Sequence, residues 1–137
     1  MPSLEVAEHH IALDDEILFV RLRGPLRLPQ AQALLAFATD QVKRLPGFFL
    51  LLDLRSMGSP PDADSRRLLV QWTKERPPLA AAAFGGNPIV RALATLAIRA
   101  SSLLSKQDRP LHFFADEAQA RDWFAEQRRR SVAASPL

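Results

Sequence analysis

Cysteine and tyrosine are both absent from the 137 residues. The first absence excludes disulfide scaffolds, Cys-ligated zinc and thiol nucleophiles. The second removes one common acid/base group. Histidine occurs only at His9, His10 and His112. His9 and His10 are neighbours, so on a strand they face opposite sides and do not chelate together. His112 stands in an apolar run and reads as a core or edge histidine. No metal site follows, and no Ser-His-Asp arrangement can be assembled. The 5 glycines include one lone pair, Gly85-Gly86, which is no dinucleotide fingerprint, and there is no phosphate-binding GxxxxGK[ST]. No cofactor is implied.

Long hydrophobic runs are missing too. The most apolar stretch, Leu79–Leu104, is broken by Gly85-Gly86-Asn87-Pro88 and by Arg91 and Arg99. None of its parts reaches the roughly 18 residues of a spanning helix. Met1 to His10 is mixed and acidic, without the basic start and apolar run of a secretory signal. A soluble, cytoplasmic chain is expected.

What is present is ordinary for a globular protein: 47% hydrophobic and 24% charged residues. The length suits one domain, expected over 1–130, with 131–137 as a disordered tail. Residues 1–62 hold 6 Lys+Arg and 8 Asp+Glu, and residues 63–137 hold 12 and 7, giving +3 overall. Arg128-Arg129-Arg130 is the one basic run, and it complements the C-terminal end of a helix dipole. A nucleic-acid surface needs more, so no nucleic acid is expected as a partner.

Periodicity gives two strands, then helix and strand in alternation. Val6–Leu13 is a weak strand, and Ile17–Arg23 alternates cleanly, with Leu18, Val20 and Leu22 on one face. The polar Asp14-Asp15-Glu16 between them predicts a hairpin. A helix over 29–45 follows, then an apolar central strand from Phe48 to Leu54. A second helix starts at Asp62 or Asp64 and ends near Arg76. The alanine-rich strand Leu79–Phe84 comes next. Asn87 as N-cap and Pro88 at the first turn open a third helix reaching about Ser105. Leu111–Phe114 is the last strand, and Asp116 caps the last helix. The expectation is an α/β fold with a five-stranded, mostly parallel mixed sheet and about four helices. Leu50, Leu52, Leu93, Leu96, Phe113 and Trp123 are expected in the core.

Four stretches, Phe19–Gly24, Leu50–Ser59, Ala83–Leu93 and Pro110–Phe124, resemble the SpoIIAA-like group of STAS domains and anti-sigma-factor antagonists. The resemblance spans most of residues 6–128 and includes no catalytic motif. It implies a bacterial, non-enzymatic binding module, acting on a protein partner in regulation. In the antagonists a serine at the start of the helix after the central strand is phosphorylated. Ser65 stands near that place, but Arg66-Arg67 replace the Ser-Gly that continues the antagonist pattern.

Two regions are candidate sites. Asp53, Arg55, Gly85, Gly86, Asn87 and Arg91 fall at the carboxyl ends of strands, where open α/β sheets bind ligands, and they suit a small anion. Asn87 is equally explained as a helix cap, and Asp53 as a partner for loop N–H groups. The third helix carries its polar residues, Arg91, Thr95, Arg99, Ser102 and Lys106, on one narrow stripe. Its apolar arc is wider than one sheet contact needs. The surplus, with Ile89, Leu96, Leu103 and Leu104 as interface candidates, must meet a neighbouring helix, a second copy in a homodimer, an apolar or lipid-like ligand, or a membrane surface touched peripherally. An enclosed apolar pocket beside this helix would favour a carrier or sensor of a small apolar ligand over a protein-interaction module.

Overall fold

Strands that follow one another in sequence lie side by side in space. A computed structural model describes the backbone of residues 1–105 and 111–134, and the side chains of 1–96, 98–99 and 111–130. Its six strands are β1 (Ser3–Val6), β2 (His9–Asp14), β3 (Ile17–Arg23), β4 (Phe49–Ser56), β5 (Ala80–Phe84) and β6 (Leu111–Phe114). They form one sheet in the order β1-β2-β3-β4-β5-β6. The pairs β1–β2 and β2–β3 are antiparallel, and β3–β4, β4–β5 and β5–β6 are parallel.

The helices are α1 (Leu28–Val42), α2 (Ala63–Glu75), α3 (Pro88–Ser105) and α4 (Glu117–Ala134). Each of the first three joins two neighbouring parallel strands. Right-handed crossovers that always step in the same direction place their helices on one face of the sheet. That face carries Leu18 and Leu22 of β3 and Leu50 and Leu54 of β4, packed with Leu34 of α1, Trp72 of α2 and Val90 of α3. The other face would be bare without α4. Phe19, Phe49, Leu51 and Phe84 point there and meet Ala120 and Phe124.

Local chemistry sets most of the boundaries. Asp15 sits at φ 54 in the β2–β3 hairpin, a conformation that Asp tolerates better than most residues. Asp62 caps α2, its Oδ1 accepting the Ser65 N–H at 2.8 Å. Asn87 Oδ1 caps α3 through the Val90 N–H at 2.9 Å, and Asp116 Oδ1 caps α4 through the Gln119 N–H at 2.9 Å.

Four expectations need correction. The sheet has six strands rather than five: the expected Val6–Leu13 is β2, starting at His9, and β1 precedes it, ending at Val6 before a turn at Ala7-Glu8 with Ala7 at φ 53. No glycine or asparagine marks that reversal. Secondly, α4 continues to Ala134, past the residue 130 at which order was expected to end, while 135–137 lie outside the described residues. Thirdly, of the expected core only Leu50 is buried. Leu52, Leu93, Phe113 and Trp123 are half-buried. Finally, Leu96 is 60% exposed, because its side of α3 faces away from the sheet. Among the described residues no helix is long and apolar enough to cross a membrane.

Candidate functional site

Leu52 stands at the centre of the central strand and is nonetheless half-buried. The reason is a cavity of about 130 Å³ between the sheet and the three helices on its first face. Its floor is Leu18, Val20 and Leu22 of β3 with Leu50, Leu52 and Leu54 of β4. Leu34 and Ala38 of α1 and Trp72 of α2 form one wall, and Val90, Leu93 and Ile98 of α3 form the other. Met57 and Pro61, from the loop after β4, and Arg66 of α2 complete it.

The few polar groups around the cavity find partners within the chain. Trp72 Nε1 donates to Thr39 Oγ1 at 2.9 Å, and Thr39 Oγ1 donates to Leu35 O at 2.8 Å. Thr73 Oγ1 donates to Leu69 O at 2.8 Å. Among the described residues no hydrogen-bonding demand is left inside, so the space favours an apolar occupant over water. Arg66 is the exception at the rim: one Nη donates to Pro61 O at 2.9 Å, and the guanidinium makes no ion pair among the described residues.

A second group assembles at the carboxyl end of the parallel strands, on the opposite face. The β3–β4 register pairs Arg21 with Asp53. Asp53 is 2% exposed and accepts four bonds. Arg55 gives its backbone N–H at 3.1 Å, Nε at 3.1 Å and Nη2 at 2.9 Å, and Arg21 gives Nε at 3.2 Å. Burial pushes the Asp53 carboxyl up, but the bonds from Arg55 and then Arg21 outweigh it, and the net position is below the usual carboxylate range. Asp53 itself takes the place between two guanidiniums that a small anion would fill.

The remaining residues expected near that edge are placed as follows. Arg55 lies over the Phe84 ring at 5.1 Å, and Gly85 packs against the Arg55 backbone. Asn87, besides capping α3, donates Nδ2 to Gly58 O at 3.1 Å. Arg91 lies over the Phe113 ring at 4.5 Å, away from Asp53.

A lowered carboxyl contributes stability above its unfolded pKa of about 3.9 and loses it as pH falls through the folded value. Asp53→Asn is expected to cost about 1–3 kcal/mol at pH 7, because two cations lose a shared acceptor. It should also flatten the acid limb of stability below about pH 4. Urea titrations of both proteins from pH 5 to pH 2 check this, and parallel curves would contradict the ion-pair account.

Ser65 is fully buried, with Oγ toward Leu26 O at 3.4 Å, so its hydroxyl is not presented to a kinase. His9 is also buried: Nδ1 accepts the Arg23 N–H at 3.1 Å and Nε2 donates to Pro25 O at 3.1 Å. It pins the end of β3 to the start of β2. His112 is exposed and lies edge-on to Trp123 at 4.4 Å.

Ile89 is 65% exposed, and α3 packs beside α2. Leu103 and Leu104 lie outside the described side chains. A groove between α2 and α3 is lined by Arg66, Arg67, Lys74, Val70, Leu93 and Leu96, among others. In the sequence Arg66 stands only as a break in a serine pattern; the helical period turns Trp72 inward with Leu68 and Leu69, and nothing singles out Met57.

No protein-family model matches this chain, and no curated protein does. Among solved structures, an uncharacterized protein from the DUF3478 family of Shewanella loihica PV-4, described as having a SpoIIAA-like fold, superposes with a TM-score of 0.56. The match covers 89% of each chain at 14% identity. The likeness shows the fold, which is SpoIIAA-like.

Proposed function

We propose that this SpoIIAA-like chain is a non-enzymatic binding module whose ligand is a small apolar molecule held between the sheet and α1, α2 and α3. The cavity beside α3 carries the reading. A void of about 130 Å³ in a core costs about 3 kcal/mol at the usual price per unit volume. Interiors rarely keep such space when one larger side chain would fill it. Its volume matches one that holds a ring-sized apolar molecule. The buried titratable groups Asp53 and His9 are held in place: Asp53 is neutralised by two arginines, and His9 has both ring nitrogens bonded.

Benzene is a suitable probe. Saturating benzene is expected to raise the melting temperature of the wild type, since it binds only the folded state. Leu52→Phe should fill the cavity from its floor, raise the melting temperature by itself, and abolish the benzene shift. A wild type indifferent to benzene, with Leu52→Phe destabilised by overpacking, would sink the reading.

A second reading, docking of a protein partner or a second copy on α3, is favoured by the exposure of Ile89 and Leu96. If that surface joins two copies, light scattering should give twice the chain mass for the wild type and the single mass for folded Leu96→Glu. A monomeric wild type excludes the homodimer.

A further inference from the structure

The cavity and the α2–α3 groove share two lining residues, Arg66 and Leu93, so only these side chains stand between them. The two spaces differ in chemistry. The cavity is walled by apolar groups, and the groove, about 520 Å³, carries Arg66, Arg67 and Lys74 with no carboxylate among its described lining residues. Arg67 is engaged by Asp64, one helical turn earlier. Arg66 and Lys74 make no ion pair among the described residues. They are eight positions apart on α2, a little over two turns, so both face the groove. Val70, Leu93 and Leu96 line the space between them with apolar surface.

Resting on the reading of the cavity as a ligand site, we infer that the ligand is a single-chain amphiphile with an anionic head, of the fatty-acid carboxylate class. Its chain end enters the cavity past Leu93. Its carboxylate stays at the mouth, where Arg66 meets it beside Val70 and Leu93, and Lys74, about 12 Å further along α2, adds positive charge to the groove. The size of the cavity argues for a chain end: it admits about a ring's worth of carbon and no bulky head. The charge of the groove argues for the head. A guanidinium already held by one carbonyl, Pro61 O, is fixed in place with donors to spare, and a carboxylate takes two of them side by side.

Isothermal titration of the purified chain below the micellar range tests this with three probes of equal chain length: decanoate, decanol and decyltrimethylammonium. Decanoate should bind more tightly than decanol by about 10-fold to 100-fold, the worth of a charge-assisted hydrogen bond, and the cation should bind least. The double variant Arg66→Gln, Lys74→Gln should lose that advantage while decanol affinity stays the same, and Arg66→Lys should restore part of it. Leu52→Phe should weaken decanoate and decanol together. Equal affinity for all three probes, or an equal loss of decanoate and decanol in the double variant, overturns the assignment of an anionic head and leaves the apolar cavity reading standing. If neither decanoate, decanol nor benzene binds, the cavity reading itself falls.

Discussion

Phe124→Ala is expected to lower stability by about 3–5 kcal/mol, among the largest effects of any single truncation in the chain. Phe124 is 2% exposed and stacks on Phe49 at 4.9 Å between ring centres, with the planes 24° apart. The ring fills the contact between α4 and the second face of the sheet, together with Phe19, Phe84 and Ala120. The neighbours belong to strands that cannot move inward, because their other face is held by three helices. The space would therefore stay open, and the cavity cost adds to the lost transfer energy. For a chain of this length the melting temperature should fall by about 10–20 °C. The first face should be untouched, so benzene binding at low temperature should persist. A loss below about 1 kcal/mol in a denaturant titration would mean that α4 does not cover this face.

Gly85→Ala is the second large effect, expected at about 2–4 kcal/mol, and its cause is backbone rather than core. Gly85 has φ 79, a region that costs any residue with a Cβ. A Cβ built there would lie 2.8 Å from both Cα and N of Arg55 and 2.4 Å from its Cγ. Two of those three atoms are main chain and cannot turn aside. Relief would require the end of β5 to move from β4, which disturbs the Arg55 bonds to Asp53. Gly58 offers the control: nothing lies within 4 Å of its Cβ position and its φ is not positive, so Gly58→Ala should be neutral or stabilising by up to about 1 kcal/mol. Equal behaviour of the two variants in chemical denaturation would remove the steric argument.

The legible part of the chain is the part where pattern and local chemistry agree. The alternation of β3 gave Ile17–Arg23 as it stands, and Asp62, Asn87 and Asp116 announced three helix starts. The β1–β2 turn was invisible because Ala7 and Glu8 carry no turn chemistry, and only pairing across the sheet holds Ala7 at a positive φ. Arg21 could not be linked to Asp53 from spacing, since strand register brings together residues 32 positions apart. The cavity was illegible for a deeper reason. Leu52 and Leu93 have the residue type and period of core positions, and what leaves them half-buried is the distance between helices and sheet. Arg66 stands in the sequence only as a departure from the serine pattern, and it acquires meaning only at the seam between cavity and groove.

The order of the strands has a consequence for how the chain folds. Every strand pairs with the strand before it, so no partner has to be awaited from further along the chain. The first three strands close through local turns, and each later one docks after a crossover of 23–26 residues. The parallel pairs still bear the cost of closing their crossovers, but during synthesis each new strand meets an edge that already exists. The far face follows a different schedule. Phe19, Phe49, Leu51 and Phe84 are in place before α4 is made, and until Phe124 reaches them they form a sticky aromatic surface on a nearly complete sheet. The moment of greatest risk of self-association therefore comes late in folding, when all the strands are already paired.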